Sequence, residues 1–262
     1  MVIHEYGSSL LPRVLLLHPM LADAGCMRVA SDSMKGDYCF IIPDFSAHGE
    51  DTGVYQSGKK EAAGLLDYLK AKGYTDIALM MGASMGGMIG LYLLGDGSLK
   101  IGTAVFEGAS AYPGSWLLCK LVQSVFLRKH RKAVGMPPDA VEKMMAEQYG
   151  EAFGAAMARN FQRMDEESIK AVVYDCSHVY FPVLSPEMQK RMFWAVGDKD
   201  MNYLQLKNVR RRYPHMNVIV QKGYDHCAYM AEHYREYGAL LERYMEQNRG
   251  KQGINRKEDE TK

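Results

Sequence analysis

The chain has 262 residues, with 32 Lys and Arg against 31 Asp and Glu and a formal net charge of +1. That balance gives no general electrostatic reason to expect nucleic acid or an anionic membrane surface as partner. Apolar residues at 47 % and charged ones at 24 % exclude wholesale disorder and fibrous repeats, and the length suits one large α/β unit or a core with an insertion.

The N-terminal stretch from Met1 to Met20 lacks the basic start, continuous apolar run and small-residue cleavage site of a signal peptide. No segment approaches a membrane span, so a cytoplasmic protein without membrane insertion is expected. The five cysteines Cys26, Cys39, Cys119, Cys176 and Cys227 are odd in number and widely spaced, which suggests buried thiols rather than disulfides or a zinc site. No histidine pair has metal-ligand spacing. Neither a metal nor a cofactor is expected.

In chain order, a buried strand over Val14 to Leu17 runs into His18-Pro19-Met20. A second over Tyr38 to Ile42 runs into Pro43-Asp44-Phe45-Ser46-Ala47-His48-Gly49-Glu50, where a tight turn accounts for Asp44 and His48 better than acid–base chemistry does. A helix is predicted over Tyr55 to Lys72, then a strand over Ile77 to Met81. That strand passes through Gly82-Ala83-Ser84-Met85-Gly86, a GxSxG sequence, directly into a helix over Met85 to Leu94. A sharp strand-to-helix turn of this kind exposes the serine hydroxyl above a sheet, needs small residues on either side, and sets helix N–H groups beside a developing oxyanion.

A strand over Ile101 to Phe106 ends at Glu107. From residue 112 to 185 the alternation stops, and helices are predicted over Trp116 to Arg131, Asp139 to Tyr149, Glu151 to Asn160 and Asp165 to Tyr174. An insertion between two strands of one sheet is expected to lie over the strands' carboxyl ends, where open α/β sheets bind ligands. A strand over Met192 to Val196 leads into Gly197-Asp198-Lys199-Asp200, and a helix over Leu204 to Arg212 follows. A strand over Val218 to Val220 leads into Gly223-Tyr224-Asp225-His226, and a helix over Ala228 to Asn248 follows. The charged stretch from Gln247 to Lys262 is too poor in apolar residues to offset its ordering entropy and is expected to be disordered. The reading is therefore a doubly wound, mostly parallel α/β sheet. Its parts are a core over residues 1–111 and 186–246, a helical cap over 112–185 and a tail over 247–262.

The chain from Arg13 to Met245 resembles the α/β hydrolase superfamily, whose triad follows the order Ser, acid, His. The resemblance implies Ser84 as nucleophile, Asp200 as acid, with Asp198 and Glu107 as lesser alternatives, and His226 as base. It implies backbone N–H groups of Met20 and Met85 as the oxyanion hole. His18 is expected to be structural and His233 solvated or capping. Two positions depart from the family pattern, since Pro19 and Asp225 both stand where glycine is usual.

A serine rather than an aspartate at position 84 argues against dehalogenase or epoxide-opening chemistry. The implied activity is hydrolysis of an ester or thioester of a small to medium, largely apolar small molecule. Aromatic and methionine side chains of the cap, among them Trp116, Phe126, Met136, Met144, Met145, Phe161, Tyr174 and Tyr180, supply candidates for its pocket. Carbon–carbon bond hydrolysis, acyl transfer, and a hydrolase-like binding module with vestigial turnover are the alternatives.

Overall fold

The computed structural model describes residues 1–112 and 114–259, with side chains described as far as Gly250. Seven strands form one sheet: β1 Val2–Tyr6, β2 Arg13–Leu17, β3 Cys39–Asp44, β4 Asp76–Ala83, β5 Lys100–Glu107, β6 Met192–Gly197 and β7 Asn217–Gln221. Their spatial order is β1-β3-β2-β4-β5-β6-β7. Every neighbouring pair is parallel except β1 with β3, in register Ile3 to Pro43. The central strands are apolar almost throughout, and Val14 to Leu17 have no exposed surface, because a parallel sheet is covered on both faces.

The helices in chain order are α1 Ala24–Asp32, α2 Gly58–Ala71, α3 Met85–Asp96, α4 Trp116–Val134, α5 Pro138–Tyr149, α6 Glu151–Arg163, α7 Glu166–Ser177, α8 Pro186–Lys190, α9 Leu206–Arg212, α10 Ala228–Glu232 and α11 Tyr234–Asp259. Helices α1 and α11 pack together, as do α2 and α3, and the two pairs contact the sheet separately. None of the described helices is long and apolar enough to cross a membrane.

All six predicted strands are present, five of them extended at one or both ends; β3 starts at Cys39 rather than Tyr38 and runs on to Asp44. The edge strand β1 and the helices α1 and α8 carried no strong sequence signal. In β1 the polar His4 and Glu5 interrupt the apolar run. They are held from outside the strand, His4 Nε2 by Asp44 Oδ2 at 3.0 Å and Glu5 by the hydroxyls of Tyr68 and Tyr74. Where a disordered tail is expected from Gln247, α11 is described as far as Asp259, and residues 260–262 lie outside those described. Asn248, only 3 % exposed, donates to Thr103 Oγ1 at 3.0 Å and to the Arg191 carbonyl at 3.1 Å, so tertiary hydrogen bonds hold the start of that stretch. The helix expected from Ala228 breaks at His233 into α10 and α11, and the one expected from Leu204 begins as a 3₁₀ turn over Met201–Gln205.

The four helices α4 to α7 follow β5 and precede α8 and β6. They seat on the loops beyond the carboxyl ends of β2 and β3. Asn160 of α6, fully buried, donates to the carbonyls of Leu21 at 2.8 Å and Ala22 at 3.2 Å and accepts from the Gly49 N–H at 3.1 Å. Ser168 and Asp175 of α7 accept the N–H groups of Tyr55 and Gly58.

Candidate active site

Ser84 stands between β4 and α3 with φ +47° and ψ −110°, a positive-φ conformation that a non-glycine residue holds only where its surroundings enforce it. Its N–H donates to the Glu107 carbonyl at 2.9 Å, and the first turn of α3 closes from Met88 N–H onto the Ser84 carbonyl at 3.2 Å. The neighbouring glycines are required by close approach. A Cβ on Gly82 would lie 2.6 Å from the Gly86 carbonyl oxygen, and one on Gly86 only 2.2 Å from that of Leu17. The second contact brings the loop after β2, which carries Met20, against the start of α3. There the N–H of Met85, first in the helix, has no intrahelical acceptor.

The Ser84 hydroxyl meets His226 Nε2 at 2.9 Å, and His226 Nδ1 meets Asp200 Oδ2 at 2.9 Å. Because a carboxylate faces Nδ1, that nitrogen carries the proton in the neutral ring, and Nε2 presents its lone pair to the serine. The second Asp200 oxygen accepts the Asn202 N–H at 2.8 Å, so both oxygens are engaged and the carboxylate is 3 % exposed. The Asn202 amide donates to the Gly108 carbonyl at 3.2 Å and approaches His226 Nδ1 at 3.4 Å. The loops bearing acid and base can lie this close because position 197 has no side chain; a Cβ there would sit 2.1 Å from the Tyr224 carbonyl oxygen.

Desolvation opposes a charge on the His226 ring. The Asp200 carboxylate bonded at Nδ1 outweighs that, and the imidazole lies above the ordinary histidine range. Burial also raises the Cys227 thiol, keeping it protonated, so Asp200 is the source of negative charge.

The other candidates fall into place around this line. Asp198 is a turn residue accepting the Gly223 N–H at 2.7 Å, and Asp225 is exposed and accepts the N–H of His226 at 2.7 Å. His233 caps α10 as expected, its N–H donating to the Tyr229 carbonyl at 3.0 Å, and its ring Nε2 pairs with the Tyr224 hydroxyl at 2.7 Å. Asp44 is engaged by other partners, accepting the N–H groups of Ala24 and Glu50 and meeting His4 Nε2. Burial pushes His48 down to about 3 and keeps it neutral. His18, also fully buried, accepts the Phe45 N–H at Nε2 and donates from Nδ1 to the Pro19 carbonyl at 2.8 Å. It thereby fixes the loop that departs from glycine at Pro19.

Glu107 is buried behind the site, where Oε2 accepts from the Tyr237 hydroxyl at 2.8 Å and the Gln221 amide at 3.0 Å. Burial pushes its carboxyl up to about 7. Its Oε1 and that of Gln221 are buried acceptors without donors, a deficit that a proton on Glu107 reduces.

His226 and Asp200 line a cavity of about 670 Å³ that extends under α4 and α5. Phe126, Met136, Met144, Met145 and Phe161 line it as expected, whereas Trp116, Tyr174 and Tyr180 do not; Tyr174 stacks on His178 and Tyr180 on Tyr92. A second cavity of about 180 Å³ shares Tyr149 and His226 with the first. Asn202 and Tyr149 were not singled out from sequence, since neither stands at a motif position.

No protein-family model matches the sequence, and no curated protein does either. Solved structures do match. An esterase from Thermogutta terrifontis superposes with a TM-score of 0.72 at 16 % identity, over 94 % of this chain and 93 % of that one. An α/β hydrolase enzyme from a Medee basin deep-sea metagenome gives 0.71 at 12 % identity, over 93 % of each chain. The chain has the α/β-hydrolase fold. An esterase from Exiguobacterium antarcticum, with a TM-score of 0.69 at 15 % identity over 93 % of this chain and 94 % of that one, shares the same α/β-hydrolase frame. In that frame the turn bearing Ser84 follows a central strand, and the loops bearing Asp200 and His226 follow β6 and β7 at the same sheet end.

Proposed function

We propose that this chain is a serine hydrolase of carboxylic esters or thioesters, acting on a small molecule with a largely apolar acyl group. The observation that supports the reading is the continuous line from Ser84 Oγ through the His226 ring to Asp200, 2.9 Å at each step. His226 Nε2 takes the hydroxyl proton as Oγ bonds to the acyl carbon, and the N–H groups of Met20 and Met85 stabilise the oxyanion. The protonated ring passes its proton to the leaving alcohol or thiol as the tetrahedral species collapses to an acyl-serine. Water, deprotonated by the same nitrogen, attacks the acyl carbon and releases the acid, and the proton returns to Ser84. Asp200 holds the ring in the productive tautomer and offsets its positive charge. The helices over 112–185 act as a cap, the larger cavity taking the acyl group and the smaller one the leaving group.

A fluorophosphonate probe and a panel of p-nitrophenyl esters test this reading, with Ser84→Ala as control. Labelling and hydrolysis should both vanish in the alanine variant. Labelling that persists there would remove Ser84 as nucleophile.

A further inference from the structure

Helix α4 presents three faces, as its 3.6-residue period allows. Cys119, Gln123, His130 and Ala133 are buried against the body, and Leu118, Val122 and Phe126 line the larger cavity. The third face is open: Trp116, Leu117 and Leu121 are 70, 74 and 62 % exposed. Across the cavity rim, Met201 and Leu204 are likewise exposed, and the Tyr112 hydroxyl ties that edge down through the Met201 carbonyl at 3.2 Å. Large apolar side chains grouped beside a cavity mouth mark an interaction surface.

The charge on the same helix indicates what covers it. Helix α4 carries Lys120, Arg128, Lys129, Arg131 and Lys132 and no Asp or Glu. Arg131 is paired with Glu166 at 2.6 Å, while the other four form no ion pair among the described residues. The near-zero total charge conceals this local excess because the balancing acids lie on other elements. A second copy is a poor occupant, since a two-fold contact through α4 would set these cations against their own images. An anionic lipid surface suits both features, because tryptophan and leucine settle at the headgroup boundary while lysine and arginine meet the phosphates.

We infer that the open face of α4 docks this protein on an anionic lipid surface. Trp116, Leu117 and Leu121 enter the interface and Lys120 and Arg128 contact the headgroups, so the cavity opens toward acyl esters held in the bilayer. Docking stands on the surface alone; the delivery of esters rests on the hydrolase reading above.

Trp116 is its own reporter, because the second tryptophan, Trp194, is 1 % exposed. The full chain is titrated with phosphatidylcholine vesicles, with and without phosphatidylglycerol, and followed by tryptophan emission and vesicle flotation. The expected result is a blue shift and co-flotation with the anionic vesicles only, weakened by salt. Loss of the charge at Lys120 or Arg128 should weaken binding roughly fivefold each. The double variant Leu117→Asp/Leu121→Asp should lose flotation while hydrolysing a soluble short-chain p-nitrophenyl ester as the parent does, which also shows that it folds. Ser84→Ala should still float, so failure of the hydrolase reading is told apart from failure of docking. Equal binding to both vesicle types, no binding to either, or a blue shift that follows protein concentration without lipid would overturn the inference, the last by making a second copy the occupant.

Discussion

Ser84 Oγ and His226 Nε2 lie 2.9 Å apart although 142 positions separate them in the chain. The contact depends on two backbone approaches, the start of α3 against Leu17 and Gly197 against Tyr224, as much as on the two side chains.

Removing either end of that contact should stop turnover without unfolding the protein. Ser84→Ala and His226→Ala are each expected to lower kcat for a p-nitrophenyl ester by about 10³-fold or more, with KM little changed. Circular dichroism should match the parent. A Ser84→Ala variant with parental kcat would exclude the hydroxyl from the reaction.

Gly86→Ala is a sharper test of the oxyanion arrangement. Its new Cβ meets backbone 2.2 Å away and cannot be absorbed by a flexible side chain, so the loop carrying Met20 must move. One misplaced donor is worth about 10² to 10³ in kcat. Substrate binding should suffer less, and steady-state kinetics separate the two.

The rate should fall on the acid side as His226 takes up a proton, because only the neutral ring accepts one from Ser84. Since the Asp200 carboxylate lifts the ring against desolvation, the acid limb of kcat/KM should lie above the ordinary histidine value of 6.5. Asp200→Asn, which removes the negative charge, should shift that limb to lower pH and cost about 10⁴ in kcat. An unmoved limb would mean that another group governs the profile.

Glu107 predicts a pH-dependent stability. Burial raises its carboxyl from 4.5 to about 7 in the folded chain, so between these values the folded state retains a proton that the unfolded state releases. The contribution is therefore most favourable below 4.5, declines as pH rises to about 7, and is then lost. Its full span is about 3 kcal/mol. Denaturant titrations of Glu107→Gln across this range should lack that decline.

Much of the frame was legible because parallel strands buried on both faces leave unbroken apolar runs, and GxSxG between such a strand and a helix has few other uses. Asp200 and His226 were legible as strand-end residues in the right order. Where a segment is held by distant partners the sequence was silent or misleading. The polar β1 is secured by Asp44, Tyr68 and Tyr74, and the stretch expected to be loose from Gln247 is docked through Asn248 onto Thr103 and Arg191.

By itself the sequence determined which residues carry reactive groups and at which strand ends they stand, since burial periodicity and chain order are local properties. Only the tertiary structure decided that Asp200 rather than Asp198 faces the imidazole, that His18 braces a loop, and that α4 leaves Trp116 uncovered. Each of those outcomes depends on a neighbour brought near by folding, and hydrogen bonds and desolvation act through space over a few ångströms.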